Sequence, residues 1–224
     1  MRRSTSLSEE AHDLLRRDIV TCALAPGERV VQAQLAQKYG IGLTPIREAM
    51  QRLVHERFLS LVGGSGYIVT PISYADICEV YDMRIVLETS AVRMAIERGS
   101  DAELSAIAEA ADFSYTFGDV PSYLEFAHRN VNFHLSIAAV SRNQRLVDWL
   151  SQLLDQSQRV LFVGVSSADV SSASRHEHLL IAESLCARDT ERGTAVVRDT
   201  LEEAKRSAIV RLEAVFAHSS GILR

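Results

Sequence analysis

Apolar residues recur at helical spacing along most of this 224-residue chain, and the departures from that spacing cluster near its start. Leu14, Leu15, Ile19 and Val20 fall on one face of a helix expected over about 8–23, which Ala25-Pro26-Gly27 brings to an end. A short strand is expected within 27–31. Leu35, Ala36, Ile46, Ala49 and Leu53 then form a single apolar set shared by two helices across a tight turn. The second helix carries its own start signal: Thr44 is read as the capping residue and Pro45 as the first helical position, where a missing N–H is harmless. That arrangement leaves Thr44, Arg47, Gln51 and Arg52 on the outer side. The runs 58–62 and 67–70 flank Gly63-Gly64-Ser65-Gly66 and read as strand, glycine turn and strand. Helix, turn, helix and hairpin in this order make a winged helix-turn-helix, a unit that reads DNA.

Past Pro71 the strand signal disappears. Ile77, Val80, Tyr81, Ile85, Leu87, Val92 and Ala95 mark a long helix over about 73–98, with Gly99 as its stop. Further helices are expected over 101–117, 121–139, 145–163, 175–187 and 191–217, with Gly164 a candidate break and 166–174 a loop or frayed helix start. The fold class is therefore mainly α: a winged helix-turn-helix with a small β-hairpin over 1–71, and an all-α bundle of six or seven helices over 72–224.

Composition changes this picture little. No apolar run approaches membrane-spanning length and no leader pattern opens the chain, so a cytoplasmic protein with no membrane partner is expected. Cys22, Cys78 and Cys186 are widely spaced and odd in number, which suits buried thiols rather than a disulfide or zinc framework. Charge is more informative. The net charge is −5, yet up to Thr70 there are nine basic against seven acidic residues, leaving fifteen against twenty-two for the remainder. A slightly basic head on an acidic body fits a DNA-reading module carried by a different one.

Candidate chemistry lies in the helical part. Asn130 and His134 are four residues apart and project from one helical face, which Val131, Ile137 and Ala138 turn inward; His178 shares a face with Ile181, Ala182 and Leu185. Such histidines suit either a ligand pocket or core groups hydrogen-bonded to their neighbours. Arg84 precedes Glu88 by four residues and either pairs with it or offers its planar fork to a carboxylate. Arg47 likewise suits a DNA contact or a surface ion pair, and Gly63 and Gly64 suit a wing tip or a plain hairpin turn. There is no nucleophile motif, no phosphate-cradling glycine loop and no His-Glu-x-x-His, so an enzyme is not indicated.

The string Leu24-Ala-Pro-Gly-Glu-Arg-Val, then Leu35-Ala-Gln-Lys-Tyr-Gly and Thr44-Pro-Ile-Arg-Glu-Ala-Met, resembles the N-terminal domain of GntR-family transcription regulators. Arg84-Ile-Val-Leu-Glu88, Phe133-His134, Asn143 and Glu177-His178 resemble the helical effector domain, the FCD domain, of its FadR subfamily. The resemblance implies a homodimer that sets two recognition helices on a short palindromic operator in double-stranded DNA. Thr44 and Arg47 match DNA-contacting positions and Gly63 and Gly64 match the wing tip, with Gln51 and Arg52 on the same outer side. Gly42 and Leu43 stand where relatives commonly have Ser-Arg, and Ala33 replaces an earlier arginine, so a changed sequence preference or weaker binding is expected.

In many FCD domains an Asp and three His bind a divalent metal such as zinc or nickel. Here His134 and His178 match, but Asn130 and Thr200 replace the other two ligands, and an amide and a hydroxyl are poor donors without charge. The resemblance therefore points to a ligand-responsive regulator, a repressor in most relatives. Its pocket of Arg84, Asn130, His134, His178 and Thr200 would take a small organic acid or sugar acid. The alternatives are a metal-dependent enzyme or metal-responsive regulator using His134 and His178, and an interaction-only adaptor.

Overall fold

The computed structural model describes residues 6–63, 66–165 and 171–220, and the chain divides into two compact units, Met1–Ser73 and Tyr74–Arg224.

In the first unit, α1 (Leu7–Val20) starts two residues before Glu9 because Ser6 caps it. The Ser6 hydroxyl accepts from the Glu9 N–H at 3.1 Å, and the Glu9 carboxylate accepts from the Ser6 N–H at 2.9 Å. Ala11, Leu15 and Ile19 form its fully buried stripe. The helix ends at Val20, earlier than the proline turn implied: Cys22 takes a left-handed φ of 54°, and the Leu24 N–H bonds back to the Asp18 carbonyl at 2.9 Å. Strand β1 (Arg29–Val30) follows, then α2 (Gln32–Tyr39), closed by Gly40 in the left-handed region at φ 67°.

Helix α3 (Leu43–His55) corrects the expected start. Its N-cap is Gly42, which has no side chain to cap with, so Thr44 is the second helical residue and Pro45 the third. Proline is tolerated there because the first intrahelical bond comes one residue later, from the Ile46 N–H to the Gly42 carbonyl at 3.3 Å. Strands β2 (Leu59–Val62) and β3 (Gly66–Val69) form an antiparallel hairpin, and β1 adds to the far side of β3, giving the order β1-β3-β2. Ile46, Ala49, Met50 and Leu53 of α3 bury completely with Leu15 and Ile19 of α1, over Phe58, Leu59 and Val69.

A buried carboxylate ties this unit together. Asp18 accepts from Lys38 Nζ and Tyr39 Oη of α2, both at 2.7 Å, and from Arg17 Nη2 at 2.9 Å. Burial alone would raise its pKa; the three donors outweigh it and hold the carboxyl below its ordinary value.

The second unit contains α4 (Tyr74–Arg98), α5 (Asp101–Glu109), α6 (Val120–Val140), α7 (Gln144–Val165), α8 (Ser171–Cys186) and α9 (Thr190–Ser220). Helix α4 is the hub and packs against α6, α7 and α9. Gly99 follows it for steric reasons: a Cβ there would lie 2.7 Å from both the Ala95 carbonyl oxygen and Val140 Cγ1. Arg188 completes the helix end by donating to the carbonyls of Ile96 (2.6 Å) and Gly99 (2.8 Å).

Two expectations change, one in this unit and one along the whole chain. The helix expected over 101–117 stops at Glu109, after which Ala111, Phe113 and Tyr115 are buried while Asp112, Ser114 and Thr116 are exposed. That two-residue alternation is the mark of extended chain laid on a core. Of the two readings of 166–174, residues 171–174 take the helical one as the start of α8, and 166–170 lie outside the described residues. The cysteines are not buried: Cys22 and Cys78 are half-buried and Cys186 is exposed. Among the described residues no helix is long and apolar enough to cross a membrane.

Candidate functional site

The winged-helix unit presents one face of α3 to solvent. Thr44, Arg47, Gln51 and Arg52 are all exposed on it. They differ in freedom: Arg52 lies 3.7 Å from Glu56, which also holds His12 Nε2 at 2.8 Å, whereas Arg47 has no hydrogen-bond or ion-pair partner among the described residues. Gly63 takes φ 30° at the wing, and Gly64 lies outside the described residues.

An open cleft of about 740 Å³ runs between α3 and the wing, with Arg29, Gln32, Leu43, Arg47, Leu61 and Gly63 on its walls. Of the expected DNA-contacting residues, Arg47 and Gly63 meet here; Thr44, Gln51 and Arg52 sit on the helix outside the cleft. Arg29 was not singled out from the sequence. It is the outward residue of β1, pairs in register with Ile68, and has no ionic or hydrogen-bond partner among the described residues. Its guanidinium lies over Gly66, where a Cβ would come within 2.9 Å of Nη2. The signal for it was the polar residue before apolar Val30 in a strand. Ala33 and Leu43 line the same cleft.

In the helical unit, Arg84, Asn130, His134, His178 and Thr200 all line one cavity of about 90 Å³, although they come from α4, α6, α8 and α9. Glu88 joins them. Arg84 Nε donates to Glu88 Oε1 at 2.7 Å and Nη1 to the Ser157 hydroxyl at 3.3 Å, which leaves Nη2 without a partner among the described residues. His134 Nδ1 lies 2.8 Å from the other Glu88 oxygen. Arg84 thus pairs with Glu88 and lines the pocket at once. Burial would raise the Glu88 pKa, but Arg84 and His134 outweigh it and hold it at about 2.

His178 Nε2 lies 2.9 Å from Asn130 Oδ1, and with the Asn130 amide in this orientation the ring proton is assigned to Nε2. Nδ1 therefore carries a bare lone pair, buried and without a partner in the described structure. Burial, then His134, pushes the His178 pKa down to about 3, keeping the ring neutral. Phe113, from the extended segment that was read as helix, stacks on this imidazole at 4.5 Å between ring centres. Glu177 also lines the cavity, its pKa raised to about 7 by burial and by Glu203.

The profile of bacterial regulatory proteins of the gntR family matches residues 7–69, and the FCD domain profile matches residues 79–203. The chain belongs to the GntR family. It is a DNA-binding transcriptional regulator with an FCD domain. Among its relatives is the HTH-type transcriptional repressor GlaR of Escherichia coli (strain K12), 29% identical over 210 residues, spanning 88% of this chain and 93% of that protein. The HTH-type transcriptional regulator McbR of the same organism is 29% identical over 194 residues, spanning 83% and 85%. The solved structure of E. coli McbR/YncC superposes with a TM-score of 0.71 at 25% identity, over 94% of this chain and 99% of that one. A putative transcriptional regulator GntR from Rhodococcus sp. RHA1 shares the fold at a TM-score of 0.68 and 21% identity.

The divalent metal implied by the FCD resemblance can be tested against the donors of this GntR regulator. His134 Nδ1 faces Glu88, His178 Nε2 faces Asn130, and the Glu88 carboxylate is already matched by the Arg84 guanidinium. A cation entering here would find the His178 Nδ1 lone pair and the His134 ring, but beside them the fixed positive charge of Arg84, a Glu88 carboxylate already paired, and an amide and a hydroxyl in place of further anionic donors. Among the described residues no group of three or more His, Cys, Asp or Glu is placed to share an ion. These residues do not fit a tightly held divalent metal.

Proposed function

We propose that this GntR-family protein is a homodimeric repressor whose FCD cavity binds a small organic acid or sugar acid directly, without a metal, and so changes its affinity for a short palindromic operator. The observation that carries this reading is the pairing of two unsatisfied groups across one cavity: Arg84 Nη2, a charged donor, and His178 Nδ1, a bare acceptor. A carboxylate suits the first and a hydroxyl the second, with the Asn130 amide and Thr200 hydroxyl as further neutral partners. 2-Hydroxy acids and open-chain sugar acids present both groups on adjacent carbons. The name of GlaR supports the repressor role.

Arg47 and Thr44 are proposed to read bases from α3. The exposed Gln51 and Arg52 and the wing around Gly63 and Gly64 would touch the flanking backbone or groove. The α3 N-terminus, with Gly42 as N-cap and no side-chain cap, leaves N–H groups of Leu43 and Thr44 for a phosphate. Effector binding alters operator affinity because it favours one of two placements of the DNA-binding heads.

Calorimetry against a panel of hydroxy acids, sugar acids and their deoxy analogues tests the effector. Binding that disappears in Arg84→Met and weakens for deoxy analogues is expected. No heat and no melting shift with any acid would sink the reading. Exhaustive chelation should change neither melting nor binding; loss of either, restored by zinc or nickel, would replace it with the metal-responsive alternative.

A further inference from the structure

Leu43 is out of place for a residue that only packs. It is the first residue of α3 and 51% exposed, while Ile46, Ala49, Met50 and Leu53 along the same helix are completely buried. It lies one turn before Arg47, so both project from the same face, and both line the cleft between α3 and the wing. Its side chain carries no donor for a phosphate, and the small residues Gly42 before it and Ala33 in the cleft leave it uncovered, while Arg29, Gln32 and Arg47 supply the polar groups of the cleft. An exposed isobutyl group on a surface that meets a polyanion gains nothing from the backbone. On the floor of the major groove, however, one base carries an apolar projection, the 5-methyl group of thymine.

We infer that Leu43 is a specificity-determining residue that reads a thymine methyl beside the base contacted by Arg47. The reading rests on α3 being the recognition helix, as proposed above. Chemically an apolar knob at this place selects A·T pairs at that position in each half-site. Thymine and cytosine differ there by a hydrogen-bonding edge as well as a methyl group, but thymine and uracil differ by the methyl alone. Uracil is therefore the discriminating probe.

The experiment enriches duplexes from a random DNA pool on the purified full-length protein. Affinity is then measured for the selected duplex with each thymine replaced in turn by deoxyuracil. About fourfold weaker binding is expected at one symmetric position per half-site, the loss of one buried methyl contact. Leu43→Ala should bind the thymine and uracil duplexes equally, with an unchanged salt slope and melting temperature, because the side chain is exposed and contacts no phosphate. Equal affinity of the natural protein for both duplexes would overturn the inference alone, as would methyl dependence that survives in Leu43→Ala. A pool that enriches no sequence would overturn the recognition-helix reading and this one with it.

Discussion

Replacing Glu88 by Gln keeps the shape of the side chain and removes its charge. Arg84 and Glu88 are each only 3% exposed, so the substitution leaves a guanidinium in the core opposite a neutral amide, with the Ser157 hydroxyl as its remaining fixed partner. Two routes give the magnitude. Holding the carboxyl at about 2 instead of 4.5 corresponds to about 3 kcal/mol in favour of its charged form. Removing one member of a buried ion pair typically costs about 3–5 kcal/mol. Glu88→Gln should therefore destabilise the helical unit by about 3 kcal/mol, a fall of roughly 6–12 °C in melting temperature. Trp149, the single tryptophan, sits on α7, so its fluorescence during urea unfolding follows this unit without signal from the winged helix. The double variant Arg84→Met/Glu88→Met supplies the internal control: with both charges gone it should be more stable than Glu88→Gln. A loss under about 1 kcal/mol for Glu88→Gln, or a double variant less stable than the single one, would show that the pair is not buried as described.

Other outcomes follow from the same geometry. Arg29→Ala should lower DNA affinity and reduce the salt slope by about one without changing stability, since Arg29 is exposed; an unchanged slope in filter binding across salt would remove it from the interface. Stability of the helical unit should be flat in pH between about 4.5 and 6.5 and fall steeply below. His178, depressed to about 3, loses stability as pH drops under its unfolded value of 6.5. Glu177, raised to about 7, works in the opposite sense between 4.5 and 7 and cancels it. Under about 4.5 Glu177 is protonated in both states, while Glu88 begins to lose the stability it holds above its unfolded value. The two remaining slopes then add to about 2.7 kcal/mol per pH unit. Tryptophan-monitored unfolding from pH 3 to 8 measures this, and a continuous decline from 6.5 would contradict the cancellation.

Much of the architecture could be read directly from local pattern. Gly40 and Gly63 mark backbone turns whose conformations are local, and the spacing of Ile46, Ala49 and Leu53 records which face of α3 is buried. Such signals are short-range, because φ/ψ preference and side-chain period act within one or two turns. Where local rules competed, reading missed by a residue: Thr44-Pro45 is a good helix start in isolation, yet α3 begins at Leu43, with Gly42 extended at its N-cap and no side chain capping it. The segment 110–119 failed more fully. Its alternating Ala111, Phe113 and Tyr115 were absorbed into a helix pattern, although their two-residue period was present.

Identity of the cavity residues was within reach of sequence, because Asn130 and His134 share a face by spacing and Arg84 and Glu88 do the same. Their convergence was not. Which face of α4 meets which face of α6, α8 and α9 depends on packing between elements far apart in the chain, and no periodicity records it. The tertiary structure alone decided that Arg84 spends one nitrogen on Glu88 and one on Ser157, that the His178 proton sits toward Asn130, and that Arg29 joins Arg47 across the wing. Charge compensation and hydrogen-bond satisfaction in a buried site are properties of the assembled neighbours. The sequence by itself determined the two modules and their kind; the fold decided which atoms are left free to meet a ligand or a base.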